Sequence, residues 1–485
     1  MHIRSRTVII FFFYLFIFRS RTQNLFLLIR SINIMRVIYR GAKNFPTRRC
    51  LYNKNNRICI RSNLLIFLLN RRARSRHLSP PGHAMSSLSK AQLDATAVEN
   101  FREYLRIPSV QPNINYDDCI TFLQKQAKSL DLPVKVYQVH PGKPIVVLTW
   151  VGTQPSEPAI LLNSHMDVVP VFEDMWTYPP FGAQMDEQGN IYARGSQDMK
   201  CVGIQYLEAI RRFKSAGQRF KRTIHVSFVP DEEIGGALGM KIFVHTKDFQ
   251  ALNIGFALDE GVACPEEQFY LFYAERSIWH VAVECQGTPG HGSLLMDNSA
   301  GEKIRTIIDR FMDFRAKEKE KLKNPELQLG DVTSVNLTQL RGGVQTNVVP
   351  PSLTAIFDIR VDPSKDHEEF EAMIKKWCEE AGTDVTYSFE QKNPKIESTR
   401  LDDSNPYWIA FKKACDDLGI NLQIGVFPGG TDSRYVRYVG IPAIGFSPMN
   451  KTKILLHDHD EYLNKDIFLK GIEIYLKLIP AVANI

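Results

Sequence analysis

Five short segments carry acids and imidazoles where ionised side chains are expensive to hold. They are Ser164–Asp167, Gln197–Lys200, Asp231–Glu233, Leu258–Glu260 and Leu455–Glu461. Each abuts an apolar run that reads as a buried strand, or opens a helix. Carboxylates in such places need compensation, and a divalent cation supplies it. Taken together, the five segments offer the donor set of a two-metal hydrolase.

His165 and Asp167 stand two apart at a strand end, so their side chains leave on the same side. This predicts His165 as a ligand whose second ring N–H is accepted by the Asp167 carboxylate. A turn with an Asp cap and a solvated histidine is the alternative. Asp198 opens a helix, and two readings stand: an N-cap at the positive end of the dipole, or a carboxylate bridging two cations about 3.5–4 Å apart. Asp231-Glu232-Glu233 follows an apolar strand directly. Adjacent buried acids repel unless a proton or a cation intervenes. A division of labour gives Glu233 to a metal and leaves Glu232 as general base toward water. Glu260 completes the second site, with Asp259 as the alternative because a one-residue shift exchanges them. His457 and His459 compete for the last imidazole. His457 is chosen, with Glu461 as a supporting carboxylate.

The elements that must position these residues alternate. Helical spacing covers about 91–105, 117–130, 200–215 and 236–244. Strand patterns cover 135–139, 145–150, 159–163, 223–229 and 254–258. Strands separated by helices imply a parallel-rich sheet covered on both faces. The period then changes: strands at 269–273, 279–286, 332–340, 352–361 and 385–389 accompany helices at 299–322 and 366–380. This block reads as an α+β insertion over 276–390. Helix–strand alternation returns at 407–418, 423–427, 443–446 and 466–478. The α/β domain is therefore expected in two pieces, 85–275 and 391–485.

Charge is divided along the chain. Residues 1–84 hold 17 Lys or Arg and no acid, leaving 43 of the 60 basic residues against all 53 acidic ones in the remainder. A mildly acidic body gives no reason to expect nucleic-acid binding. The apolar run Val8–Phe18 spans 11 residues, below the roughly 17 needed to cross a bilayer, so no stable membrane association is expected. Residues 1–84 are read as a basic extension, disordered or not in the mature protein, with Met85 as a natural start. Eight scattered cysteines include no Cys-x-x-Cys pair, which suits reduced thiols and a cytoplasmic setting. Organellar targeting by the extension is the alternative.

Ser-His-Met-Asp-Val-Val-Pro (164–170), Ala-Arg-Gly-Ser-Gln-Asp-Met-Lys (193–200), Pro-Asp-Glu-Glu-Ile-Gly-Gly (230–236) and Pro-Gly-His-Gly-Ser (289–293) resemble the motifs of the co-catalytic zinc aminoacylase/carboxypeptidase family. Phe-Ala-Leu-Asp-Glu-Gly (256–261), Thr-Ser-Val-Asn-Leu-Thr (333–338), Gly-Phe-Ser-Pro-Met-Asn (445–450) and Leu-Leu-His-Asp-His-Asp-Glu (455–461) are similar to its N-acyl-L-amino-acid amidohydrolases. The likeness covers about 90–485. It implies an α/β fold: a discontinuous zinc-hydrolase domain with a mixed, mostly parallel sheet, plus an inserted dimerisation (lid) domain. It implies two zinc ions per subunit, with Asp198 bridging, His165 and Glu233 each on one ion, and Glu260 and His457 completing the pair. Asp167 would support His165, and Glu232 would be the acid/base. His291 is similar to the family histidine that reaches the partner's active site in a homodimer. Asn347 matches the asparagine of Gly-Gly-Val-x-x-Asn-Val-Val-Pro. Arg434 matches the arginine expected to hold the substrate carboxylate. The implied reaction is hydrolysis of N-acyl-L-amino acids, the alternatives being dipeptides or other N-acyl substrates, or a catalytically silent binding homologue. Met166 stands where a small polar residue is usual, but its side chain should point away from the metals. The extension 1–84 has no counterpart in the family.

Overall fold

Apolar strands that end in acids and histidines must bury their stems while leaving their tips at one rim. The computed structural model describes residues 89–485; the readings made for 1–84 and for a start at Met85 lie outside the described residues. The chain opens with helices α1 (Lys90–Leu105) and α2 (Asp117–Ser129), then strands β1 (Val134–His140), β2 (Lys143–Trp150) and β3 (Ala159–His165). Short strands β4 (Gln184–Met185) and β5 (Asn190–Tyr192) lead to α3 (Lys200–Ser215) and β6 (Ile224–Val229). Two short helices, α4 (Met240–Phe243) and α5 (Lys247–Ala251), precede β7 (Ile254–Asp259) and β8 (Phe269–Glu275). Next come β9 (Ser277–Gln286), β10 (Gly290–His291), α6 (Ala300–Lys321), β11 (Ser334–Gly342), β12 (Val348–Val349), β13 (Ser352–Val361), α7 (His367–Ala381) and β14 (Val385–Lys392). The chain finishes with α8 (Pro406–Asp417), β15 (Leu422–Phe427), α9 (Ser433–Tyr438), β16 (Ala443–Gly445), β17 (Tyr462–Asn464) and α10 (Lys465–Ala483).

The helices start where their sequences say they should. Ser89 with Gln92, and Ser299 with Glu302, form reciprocal capping boxes on α1 and α6. Asn405 caps α8 just ahead of Pro406.

The main sheet has eight strands in the order β1-β2-β6-β3-β7-β16-β8-β15. It is mixed: β3 runs parallel to both β6 and β7, β16 to β7, and β15 to β8. Every residue of β3 and β6 is buried, as a strand covered on both faces requires. Phe101, Tyr104, Phe228, Phe256 and Tyr475 belong to the core around it. Because β3, β6 and β7 are parallel, the residues that follow them emerge at one rim. His165 ends β3 opposite Val229, the last residue of β6.

A second sheet, β11-β13-β9-β14, is wholly antiparallel. Helices α6 and α7 cover it, and Trp279, Phe311, Phe357 and Trp377 form its own core. Among the described residues no helix is long and apolar enough to cross a membrane.

Two helix expectations change. The helix expected over 236–244 shrinks to α4, four residues long. Gly235 and Gly236 take positive φ of 94° and 62°, which ends the preceding turn in a left-handed conformation. A Cβ on Gly239 would sit 2.3 Å from the Pro230 carbonyl oxygen, so that stretch serves close backbone contact instead of helix. The final helix runs past 478 to Ala483, through Pro480, because Ile479, Val482 and Ala483 still bury apolar surface. Helix α9 was not expected at all.

Candidate metal centre

Two groups of three potential ligands converge at the rim, and they share one carboxylate. His165, Asp198 and Glu260 form the first; Asp198, Glu233 and His457 form the second. Within each group the donor atoms lie within 4.8 Å of one another. His165 Nε2 lies 2.9 Å from Asp198 Oδ1 and 3.5 Å from Glu260 Oε2. His457 Nε2 lies 3.3 Å from Asp198 Oδ2 and 3.1 Å from Glu233 Oε2. Asp198 thus offers one oxygen to each station, which is the geometry of a bridging carboxylate. It is not a helix cap: α3 begins at Lys200, and its N-cap position is Met199. Buried Glu233 Oε1 has no hydrogen-bond partner, so a donor atom stands ready beside the cluster. Two imidazole nitrogens and three carboxylates, one of them shared, suit a pair of zinc-like cations.

The expected role of Asp167 is altered. His165 Nδ1 lies 2.8 Å from the Asp167 backbone carbonyl oxygen and 3.8 Å from its carboxylate. The imidazole is oriented by main chain, leaving the carboxylate free for other work. Its oxygens accept the backbone N–H of Glu232 and of Glu233, both at 3.1 Å, and Gln111 Nε2 at 2.7 Å. Asp167 therefore holds the turn that carries the two glutamates. Asp231, in a left-handed conformation, is pinned by Lys143 at 2.7 Å and by the Tyr116 hydroxyl at 2.8 Å. Gln111, Tyr116 and Lys143 were missed from the sequence, where they are unremarkable polar residues far from any motif.

Glu461 also moves. Instead of supporting His457, its buried carboxylate accepts Arg194 Nη1 (2.8 Å), Gly195 N (3.1 Å), Gln197 N (2.7 Å) and Asp198 N (3.3 Å). It moulds the loop that presents Asp198. The two open choices of residue resolve by contact. Asp259 accepts hydrogen bonds from Asn163 and Ser433, leaving Glu260 to the cluster. The His459 ring lies against Phe172, away from the carboxylates that meet His457. Met166 is fully buried in the core and does not face the cluster.

Glu232 differs from its neighbours. Among the described residues its carboxylate makes no hydrogen bond or ion pair, although only 8% of the residue is exposed. Burial, then the nearby Glu260 charge, push its carboxyl well above the usual range, toward the basicity a general base needs. Burial and Asp198 likewise push Glu233 up to about 7. Hydrogen bonds to Asp198 and Glu233 raise His457 to about 10. Negative charge is concentrated here beyond what the protein's own cations neutralise, the condition that divalent cations relieve.

Arg434 sits in α9, 6% exposed, with Nη2 donating to the Gly235 carbonyl oxygen at 2.9 Å and a buried Nε without a partner. It lies beside the turn that bears Glu232. His291 and Asn347 lie elsewhere. They occupy the β10–β12 ribbon, where His291 pairs with Val348 and Gly292 N donates to the Asn347 carbonyl oxygen. Both are exposed, and among the described residues no hydrogen bond or ion pair joins either to the carboxylate cluster.

This arrangement fits a class, metal-dependent hydrolases built at the ends of parallel strands. The profile of peptidase family M20/M25/M40 matches residues 161–481. Aminoacylase-1 of Mus musculus is 54% identical over 390 residues, covering 80% of this chain and 96% of that protein. Aminoacylase-1 of Homo sapiens is 51% identical with the same coverage. A solved dinuclear metal-binding peptidase of the M20 family from Bacillus subtilis superposes with a TM-score of 0.60 at 15% identity, over 81% of this chain and 99% of its own. The chain belongs to peptidase family M20/M25/M40, whose members are metal-dependent hydrolases.

Proposed function

We propose that the protein hydrolyses the amide bond of N-acyl-L-amino acids, releasing a carboxylate and a free L-amino acid. The carrying observation is the shared Asp198 between two ligand groups, with an unbonded Glu232 carboxylate beside them. Near-complete overlap with the aminoacylase-1 enzymes supports the substrate class.

His165 and Glu260 would hold one zinc, Glu233 and His457 the other, with Asp198 between them. Zinc bound there would polarise the acyl carbonyl and acidify water. Glu232 takes a proton from the attacking water, whose oxygen bonds to the carbonyl carbon. The carbon–nitrogen bond then breaks, and Glu232 returns the proton to the leaving nitrogen. Asp167 keeps Glu232 in place by holding its backbone N–H. Arg434 grips the substrate α-carboxylate with its free donors, in a fork that a lysine could not match.

His291 and Asn347 act from a second subunit, with 276–390 as the dimerising insertion. Their exposure, and the exposed Leu294, Leu295 and Val344 beside them, support that reading. A cytoplasmic setting is supported by the free, buried thiols of the described cysteines.

The test is hydrolysis by the full chain of N-acetyl-methionine against Gly-Gly, with and without a chelator, alongside metal analysis. Release of methionine, abolished by chelation and restored by zinc, is expected. Cleavage of the dipeptide alone would overturn the substrate assignment.

A further inference from the structure

We infer that Glu275, assisted by Arg276, is a positioning residue that sets the place of Arg434; this rests on the reading of Arg434 as the grip on the substrate carboxylate. Glu275 ends β8 and pairs in parallel register with Phe427, the end of β15. The loop from Pro428 to Asp432 therefore leaves the sheet beside the Glu275 side chain, itself only 6% exposed. Its carboxylate accepts Thr431 N at 2.9 Å, Thr431 Oγ1 at 2.5 Å and Arg437 Nη2 at 2.6 Å. Those partners flank Arg434 on either side in sequence, so one buried carboxylate fixes both ends of the segment that carries it.

Arg276 fixes the start of the same loop. Its Nη2 and Nε donate to the Pro428 carbonyl oxygen at 2.7 and 3.2 Å, and its Nη1 donates to Val332 O at 3.3 Å and Ser334 Oγ at 3.1 Å. Gly430 then passes directly under the guanidinium: a Cβ there would lie 2.1 Å from Arg434 Nη1. Loop and arginine are interlocked, and the loop is tied to the junction where the chain passes from the eight-stranded to the four-stranded sheet. A buried carboxylate accepting three donors is ill replaced by an amide, which turns one acceptor into a donor facing other donors.

Steady-state kinetics on the zinc-loaded full chain with N-acetyl-methionine tests this. Glu275→Gln should raise KM about tenfold with kcat held within about twofold, the signature of lost ground-state binding. In an Arg434→Ala background the same change should add nothing, because residues acting through one another are not additive. Gly430→Ala, which leaves the Glu275 contacts intact but collides with the guanidinium, should raise KM similarly and guards against a Glu275 variant that fails to fold. If Arg434→Ala itself leaves KM unchanged, the reading of Arg434 falls. If Arg434→Ala raises KM but Glu275→Gln and Gly430→Ala do not, or if Glu275→Gln costs as much without Arg434, the positioning role is overturned.

Discussion

The rim of the eight-stranded sheet and the β10–β12 ribbon both carry residues expected to do chemistry, yet the structure treats them differently. At the rim three of the five expected ligands are braced: Asp167 holds the turn that carries Glu233, Glu461 holds the Asp198 loop, and backbone orients His165. On the ribbon, the His291 ring is exposed and among the described residues hydrogen-bonds only to Ser293, and Leu295 beside it is fully exposed. A site fixed within one chain is surrounded by its own supports. The open polar and apolar groups of the ribbon are what the proposed completion by a second subunit calls for.

The sharpest way to break the comparison is Glu232→Gln. Turnover should fall by about two to four orders of magnitude, as for loss of a general base, while metal content stays at the wild-type level. Loss of metal would mean that Glu232 and Glu233 have exchanged roles. Next comes His291→Ala, expected to cost about two to three orders of magnitude in turnover if it steadies the developing oxyanion. Mixing His291→Ala with Glu232→Gln subunits should then recover part of the activity; no recovery would place the histidine within its own chain's site. The smallest effect on chemistry should come from Glu461→Gln. Removing one side of the buried Arg194–Glu461 pair should destabilise the fold by about 3–5 kcal/mol, read by denaturant unfolding. Zinc affinity should weaken with it, while unchanged stability would show that the Asp198 loop holds its shape alone.

Which parts of this were legible beforehand follows from physics. Strand ends were readable because β3, β6 and β7 are buried on both faces, so their apolar runs stop where the acids begin. His457 and Glu260 fall within the two ligand groups, while Asp259 bonds Asn163 and Ser433 and the His459 ring lies against Phe172, placements that no spacing could reveal. The Asp167 carboxylate was misassigned because a main-chain carbonyl can orient an imidazole equally well, and main-chain acceptors leave no trace in residue type. Glu461 was read as a neighbour of His457, four residues away, whereas it reaches Asp198 across 263 positions. Helix α9 went unseen because its six residues are too few for a periodic pattern.

That long reach has a consequence for how the protein comes into being. On the ribosome, His165, Asp198, Glu233 and Glu260 emerge far ahead of the segment that bears His457 and Glu461. A nascent chain can assemble its parallel strands early, yet the loop presenting Asp198 has no carboxylate to fold around until synthesis is almost done. The complete donor set therefore exists only once the segment bearing His457 has been made.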